Sequence, residues 1–207
     1  MNKAFFALSI YVIFSLCSCE MESSDPFIRR EEAKRFSRDS FFKLSPESPI
    51  DPAERKYFFN LLFFEPKQEY LVKAEFKESS PPQSVYIQES DEHEREFLRM
   101  GKLYFTLLGK PCSLSVYQDA RFIHDTTVNK TLFLPFSDET NGKESYHAGR
   151  YLDIHYTDGM KEIELDFNDA YNPYCAYTDY YKCPLPPAEN HIPFRIEAGE
   201  KAYAENK

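Results

Sequence analysis

The side chains best suited to chemistry are concentrated between residues 138 and 190, in a segment rich in acids, amides and tyrosines. A guanidinium beside a carboxylate forms a charge-assisted contact that fixes geometry, and phenol rings offer stacking surfaces. A carboxylate that is desolvated in a pocket can also act as a general acid or base. The candidate ligand-binding residues are Asp138, Tyr146, Arg150, Tyr151, Asp153, Asp166, Asn168, Tyr171, Asn172, Glu189 and Asn190.

Each of these residues also has a structural interpretation, and the sequence leaves both interpretations open. An arginine–aspartate pair at the end of a strand is commonly a buried brace. Asn168 and Asn172 belong to a residue type that satisfies loop backbone. The tyrosines can be core or rim aromatics rather than stacking surfaces. Glu189 is either a solvated loop end or a carboxylate that points into a site.

Motifs of known catalytic classes are absent from the sequence. It contains no Gly-x-Ser-x-Gly nucleophile motif and no phosphate-binding glycine loop, and it has only six glycines. His147, His155 and His191 are possible metal ligands, but no His-x-x-x-His or Cys-x-x-Cys spacing accompanies them. We therefore expect no metal and no cofactor.

A predicted β-hairpin would bring the candidate residues together. Asp158-Gly159 forms a turn signal between two stretches in which every second residue is apolar. The two outer ends of such a hairpin lie side by side. Arg150 would then reach Asp166 or Asp169 across the pair of strands, beneath the loop that follows.

The rest of the chain predicts a mainly β fold of the α+β type. An amphipathic pattern predicts a helix over about 26–43, and Asp51-Pro52 predicts a short helix over about 52–60. Alternating apolar residues predict strands at 70–76, 84–87, 96–100, 103–107 and 112–116, with a turn at Gly109-Lys110, and a short apolar run predicts a further strand at 132–134. We expect an antiparallel β-sandwich or barrel-like domain with one or two N-terminal helices. The sequence does not choose between sandwich and barrel.

The N-terminus reads as a targeting segment. Lys3 precedes an apolar run that is too short for a comfortable membrane span, which predicts a signal peptide over 1–18. Leu16-Cys17-Ser18-Cys19 resembles the lipobox of bacterial lipoproteins. The resemblance implies acylation at Cys19, a polar tether over 19–25 and a single β-rich domain over 26–207. An ordinary signal peptide with an incidental cysteine is the alternative.

Four blocks of sequence resemble the family catalogued as domain of unknown function 1684. The resemblance is specific across about 130–201 and implies a shared fold and a shared polar cluster, with no activity attached. The chain departs from the family pattern at Ser137, Ser145 and His147, where members have Arg, Thr and usually Gly. The blocks are Pro135–Leu152, Asp166–Tyr177, Cys183–Asn190 and Ala198–Glu200.

Three cysteines remain after the N-terminal segment. Cys175 and Cys183 enclose a short loop, and in an oxidising compartment this spacing predicts a disulfide between them. Thiol ligands or simple packing are the alternatives for this pair. Cys112 lies on an alternating strand face, which predicts apolar packing.

Composition narrows the function classes. The formal net charge is −9 and no basic stripe is present, which excludes nucleic acid as a partner. We expect an envelope protein held outside the cytoplasm by its lipid anchor, on the periplasmic or the surface face. Its domain would bind a small molecule or another envelope protein. The alternative is a small hydrolase that uses carboxylates near Arg150, Asp166 and Glu189.

Overall fold

The computed structural model describes residues 25–123, 131–157 and 159–203. The predicted signal peptide, Cys19 and the tether as far as residue 24 lie outside the described residues. None of the helices in the described ranges combines the length and the apolar character that crossing a membrane requires.

One α-helix, α1 (Pro26–Leu44), opens the described chain, as the sequence predicts. Asp25 caps it by accepting a hydrogen bond from the backbone N–H of Phe27 at 2.9 Å, and Pro26 occupies the first turn, where no backbone donor is needed. The helix ends at Leu44, immediately before the proline-rich segment that interrupts it.

The predicted second helix at 52–60 is wrong, apart from a single 3₁₀ turn at Arg55–Tyr57. Beyond this turn the backbone is extended at Phe58. The extended chain lets Phe58 and Leu61 pack with Phe42 of α1, and burial of these side chains outweighs local helix propensity.

Seven strands of the described residues form one antiparallel sheet with a short parallel addition. The strands are β1 (Leu71–Gln88), β2 (Glu94–Leu107), β3 (Lys110–Asp119), β4 (Thr131–Asp138), β5 (Arg150–His155), β6 (Glu162–Asp166) and β7 (His191–Ile192). In the sheet, the strand order is β5-β4-β3-β2-β1-β6, and β7 pairs in parallel with β4. The sheet curls into a nearly closed barrel, which confirms the predicted fold class and selects the barrel.

The first two strands are longer than the sequence predicts, because each continues through an irregularity. In β2 the register with β3 shifts between Arg99 and Gly101. The shift exchanges the two faces of the strand, so Leu103 packs inside the barrel whereas Phe97 packs on its outer side. Gly101 is required there, because a Cβ atom would lie 2.4 Å from the carbonyl oxygen of Lys77.

The predicted hairpin between the second and third strands is confirmed, with its turn one residue earlier than expected. Leu107 pairs with Lys110, and the turn residues are Leu108 and Gly109, with φ values of 50° and 75°. Two consecutive positive φ values are typical of a type I′ turn, whose twist matches that of the flanking strands.

The predicted hairpin around residues 158–159 is wrong. β5 pairs with β4 and β6 pairs with β1, so the two strands lie at opposite edges of the sheet. The curl of the barrel brings these edges towards each other across a seam that holds a cavity of about 450 Å³. Arg30 and Lys34 of α1 line this cavity together with residues of both strands.

Candidate functional site

Arg150 pairs with a different acid from the ones the sequence suggests. Its Nη2 atom lies 2.8 Å from Oδ2 of Asp138, and both side chains are completely buried. The second oxygen of Asp138 accepts hydrogen bonds from the backbone N–H groups of Thr140 at 2.8 Å and Ile196 at 3.1 Å. The predicted contact of Arg150 with Asp166 or Asp169 is therefore wrong, and these two acids pair with Arg30 and Lys34 of α1 instead.

The guanidinium of Arg150 also binds the C-terminal segment of the chain. It donates to the carbonyl oxygens of Ile196, Ala198 and Glu200. The rings of Phe64 and Phe136 flank it, with centres 5.6 and 5.4 Å away. Desolvation lowers the pKa of the guanidinium, and the charge of Asp138 opposes this effect. Of the two interpretations, the structure favours the buried brace.

Three amide side chains of the candidate set fix loops in place. Asn190 bridges β3 and β4 by accepting from the N–H of Ser115 and donating to the carbonyls of Ser115 and Pro135. The side chain of Asn168 accepts a hydrogen bond from the backbone N–H of Lys67 and donates one to its carbonyl. Asn172 donates from its side chain to the carbonyl of Lys201 at 2.7 Å.

The buried carboxylate of Glu200 joins α1 to the loop after β6. It accepts a short hydrogen bond from Nε of Arg38, and it accepts from the backbone of Asn172 at 2.8 Å and from the hydroxyl of Tyr177 at 2.6 Å. Sequence reasoning missed this residue, because a glutamate near the C-terminus gives no signal that it is buried.

Asp166 and Asp169 belong to an ion-pair cluster with α1. Their carboxylates and that of the buried Glu31 offer oxygens that all lie within 4.8 Å of one another, a grouping with the size of a metal site. Lys34 already lies 2.7 Å from Asp169 and 3.1 Å from Glu31, and Arg30 lies 3.3 Å from Asp166. These cations supply the positive charge that the acids need.

Glu189 is engaged with side chains of β2 and β3. It accepts from the hydroxyl of Tyr117 at 2.6 Å and lies 3.2 Å from Arg99. Burial raises the pKa of its carboxyl, but the hydrogen bonds of Tyr117 and Ser115 and the charge of Arg99 outweigh burial and lower the pKa. The hydrolase alternative needs Glu189, Arg150 and Asp166 in one cavity, and the structure places each among different partners.

A cavity of about 670 Å³ lies on the outer face of the barrel. We call it the aromatic cleft. A row of rings crosses the strands as its floor: Phe97 stacks on Phe133 at 5.8 Å, and Phe133 meets Tyr151 edge-on at 4.7 Å. Tyr151 in turn meets Tyr171 at 5.8 Å.

The loop from residue 171 to residue 187 forms the opposite wall of the aromatic cleft. Tyr171 pairs with Tyr151 through two backbone hydrogen bonds of 2.9 and 3.0 Å, and the hydroxyl of Tyr151 donates to the carbonyl of Pro184. The backbone N–H of Leu185 donates a hydrogen bond to the carbonyl of Gln88 of β1 at 2.7 Å. Both ends of the loop are thus attached to the barrel, and the wall residues are Pro173, Tyr174, Tyr181, Lys182, Cys183 and Pro184.

Asp153 is the candidate acid that the structure places in the aromatic cleft. The hydroxyl of Tyr171 donates to it at 2.9 Å, and it forms no salt bridge with any described residue. The carboxylate is reached by solvent, but protein atoms surround it on most sides, and this desolvation raises its pKa against the opposing hydrogen bond of Tyr171. Asp153 is therefore free to receive a ligand group.

Cys175 and Cys183 are free thiols, so the predicted disulfide is not formed. The sulfur of Cys183 instead accepts the backbone N–H of Cys175 at 3.2 Å, and the hydroxyl of Tyr146 donates to the sulfur of Cys175 at 3.7 Å. A hydrogen bond from Cys183, supported by Tyr146 and opposed by burial, lowers the pKa of Cys175 to about 7. The pKa of Cys183 is raised, because Cys183 retains the shared proton.

Of the eleven candidate residues, Tyr151, Asp153 and Tyr171 line the aromatic cleft. Phe97, Phe133 and the cationic side chain of Arg38 also line it, and these three residues were not among the candidates that the sequence suggested. The unbroken apolar run around Phe133 could have indicated a covered surface on the outer face of this strand, because a strand that is apolar on both faces is covered on both faces.

Comparison with known proteins gives a family and a structural relative. The model of the family described as "Protein of unknown function (DUF1684)" matches residues 56–201, which include the whole segment that carries the resemblance. The chain is similar to an uncharacterized protein from Haloarcula marismortui, solved by solution NMR, with 38% sequence identity and a TM-score of 0.64. That similarity covers 83% of this chain and 92% of the other. No curated protein matches the chain.

Replacement of Arg150 by methionine should destabilise the fold strongly. The Arg150→Met variant leaves the carboxylate of Asp138 buried without its counter-ion, which costs about 3–5 kcal/mol of unfolding free energy. Urea denaturation followed by circular dichroism measures this loss. Adding Asp138→Asn to the variant should recover part of it, and Arg29→Met, at an exposed arginine that forms no salt bridge with a described residue, should change little. An unfolding midpoint of Arg150→Met equal to that of the wild type would contradict a stabilising role for the buried Arg150–Asp138 pair.

The cysteine pair predicts a thiol that reacts near neutral pH. In the reduced protein, alkylation of Cys175 by iodoacetamide should reach half its maximal rate near pH 7, since its pKa is about 7. Peptide mapping by mass spectrometry follows each thiol separately. Cys183→Ala removes the hydrogen-bond donor and should move this midpoint upward, whereas Cys112→Ala should leave it unchanged. Equal midpoints for Cys175 and Cys112 would be inconsistent with the shared proton.

Proposed function

We propose that this chain, which belongs to the family described as protein of unknown function (DUF1684), binds a small ligand in the aromatic cleft. The observation that carries the proposal is the combination in one cavity of a floor of stacked rings and the unpaired carboxylate of Asp153.

The size and the walls of the aromatic cleft suit a small molecule. A volume of about 670 Å³ lies within the range of ligand sites, which are mostly apolar with a few polar groups that set orientation. The rings of Phe133, Tyr151 and Tyr171 offer edges and faces to a planar or alkyl body. Attachment of the 171–187 loop at both ends holds the walls apart, so little ordering entropy would be lost on binding.

Charge indicates which polar group the ligand presents. Arg38 is neutralised by Glu200, and Arg95 is neutralised by Glu89 with help from Asp119. Two charged groups of the lining form no salt bridge with a described residue: the carboxylate of Asp153 and the exposed ammonium of Lys182, which donates to the carbonyl of Asp179. Asp153 is the one that contacts a ring of the floor, through the hydroxyl of Tyr171, so the ligand carries an amine or another strong hydrogen-bond donor at that end. The negative charge of the whole protein favours the approach of cations.

We propose further that the protein is a lipoprotein of the bacterial cell envelope. Support comes from the leader-like residues 1–18 and from the lipobox-like sequence that ends at Cys19. Acylation of the thiol and of the new N-terminus would hold the barrel at a membrane surface outside the cytoplasm. The ligand would then be met in the envelope.

Binding of an aromatic amine should depend on Asp153. Phenethylamine serves as the probe, with toluene-sized neutral and anionic analogues beside it, and NMR titration measures the affinity. Asp153→Asn should weaken phenethylamine binding by about fivefold, which corresponds to about 1 kcal/mol for a solvent-reached ion pair. The neutral analogue should bind both proteins equally. Glu65→Gln removes an exposed carboxylate outside the cleft and should have no effect.

The pH dependence of this binding provides a second test. Protonation removes the charge of Asp153, and its pKa is raised, so affinity for the amine should fall at a higher pH than for an ordinary aspartate of pKa about 3.9. Asp153→Asn should abolish this pH dependence. Shifts of cleft resonances that are the same for amine and acid probes would refute the assignment of Asp153.

Lipidation should depend on a single cysteine. Metabolic labelling with radioactive palmitate should mark the wild-type chain in a bacterial host and should miss Cys19→Ala. Cys17→Ala is the matched control and should be labelled, because Cys17 would be removed with the leader. Equal labelling of the wild type and Cys19→Ala would end the lipoprotein proposal without affecting the cleft.

A further inference from the structure

We propose that one side of the N-terminal layer docks on the headgroup region of an anionic bilayer, and this rests on the lipid anchor proposed above. We call this side the docking face. It consists of Arg29, Phe36, Lys43 and Leu44 on α1, and of Tyr57, Phe59 and Leu62 on the segment that follows.

Exposed apolar side chains are concentrated in this layer. Phe36 is 74% exposed, Leu44 75% and Phe59 80%. With Tyr57 and Leu62 they make five of the eleven large hydrophobic residues that are exposed in the described part of the chain, within 27 consecutive positions. Single exposed apolar residues are ordinary, but such a concentration marks an interaction surface.

The helix adds exposed positive charge to the same layer. Arg29, Phe36 and Lys43 follow one another at intervals of seven residues, which places them on one stripe along α1. All three are exposed, and neither Arg29 nor Lys43 forms a salt bridge with a described residue. An exposed aromatic side chain between two unpaired cations offers an apolar contact and positive charge to the headgroup region of a membrane.

The segment after α1 lies in the same layer, beside the helix. The backbone N–H of Leu61 donates to Asp39 at 2.8 Å, and Phe58 stacks on Phe42 with a ring separation of 5.9 Å. The residues that alternate with Phe58 and Leu61 are left outside, and these are the exposed Tyr57, Phe59 and Leu62. The ammonium of Lys56 lies 4.7 Å from the ring of Tyr57, which places a further cation at this surface.

Length and charge identify the occupant as a membrane surface. Only six residues separate Cys19 from Pro26, and an extended chain of that length spans about 20 Å at most. An anchor at Cys19 would therefore keep the start of α1 close to the headgroups. The helix carries six basic and three acidic residues in a chain with a net charge of −9, so an anionic surface attracts the helix and repels most of the barrel.

A single tryptophan reports whether the docking face enters the interface. The chain contains no tryptophan, so Phe36→Trp or Phe59→Trp introduces one fluorophore at an exposed position. The full-length lipidated protein is reconstituted in vesicles of phosphatidylglycerol and phosphatidylcholine with brominated acyl chains. We expect a blue-shifted emission and quenching of most of the fluorescence for both variants. Tyr86→Trp, at an exposed position on β1, should be quenched little.

Charge reversal separates electrostatic docking from passive proximity. Arg29→Glu with Lys43→Glu in the Phe36→Trp background should remove most of the quenching, whereas Lys77→Glu with Lys161→Glu on the barrel should retain it. Vesicles of phosphatidylcholine alone should quench less than anionic ones.

The outcomes distinguish the two proposals. A chain found without lipid in the soluble fraction overturns the anchor and the docking face together. An anchored chain in which Phe36→Trp and Phe59→Trp emit as in water overturns the docking face alone. Quenching that is equal for Tyr86→Trp also overturns it, because the barrel would then have no fixed orientation. Concentration-dependent self-association that is lost in the same variants would assign the face to a second copy of the chain.

Discussion

The guanidinium of Arg150 is buried at one end of the barrel, where an unpaired charge would cost several kcal/mol. Asp138 supplies the counter-charge, and three carbonyl groups of the C-terminal segment satisfy further donors. The last of these carbonyls belongs to Glu200, whose own carboxylate binds Arg38 of α1 and the N–H of Asn172. One buried cation thus fixes the C-terminal segment, and this segment fixes both the helix and the loop that walls the aromatic cleft.

Closure of the barrel imposes a second constraint, at the seam between β5 and β6. Because these two edge strands do not pair with each other, α1 supplies polar side chains at the seam instead, with Lys34 on Asp169 and Arg30 on Asp166. Asp153 and Asp169 line both the seam cavity and the aromatic cleft, so the two cavities adjoin there. The gap between β5 and β6 therefore forms the seam cavity, and it leaves Asp153, on the edge strand β5, with no further strand beside it.

The sequence predicts local structure well and strand partners poorly. Helix α1, the turn after Leu107 and the mainly β fold follow from capping, glycine and alternation, all of which act over a few residues. The pairing of β5 with β4 and of β6 with β1 depends instead on how the whole sheet curls. The Asp158-Gly159 turn signal in the sequence is equally compatible with two strands that pair and with two strands that only face each other across a seam. Local pattern therefore could not decide where Arg150 would find its acid.

Most of the acids and amides between residues 138 and 190 support the fold and do not form a ligand site. Buried polar groups must be paired, and in a small barrel with many irregular connections the amides and acids near the loops do this pairing. Asn190, Asn168 and Glu200 are saturated by backbone and side-chain partners, which leaves them no capacity for a ligand. A ligand site requires the opposite condition, a polar group with unused capacity beside uncovered apolar surface. Among the candidate acids Asp153 meets this condition, since it receives one phenol hydrogen bond and lies at the rim of a floor formed by Phe133 and Tyr151.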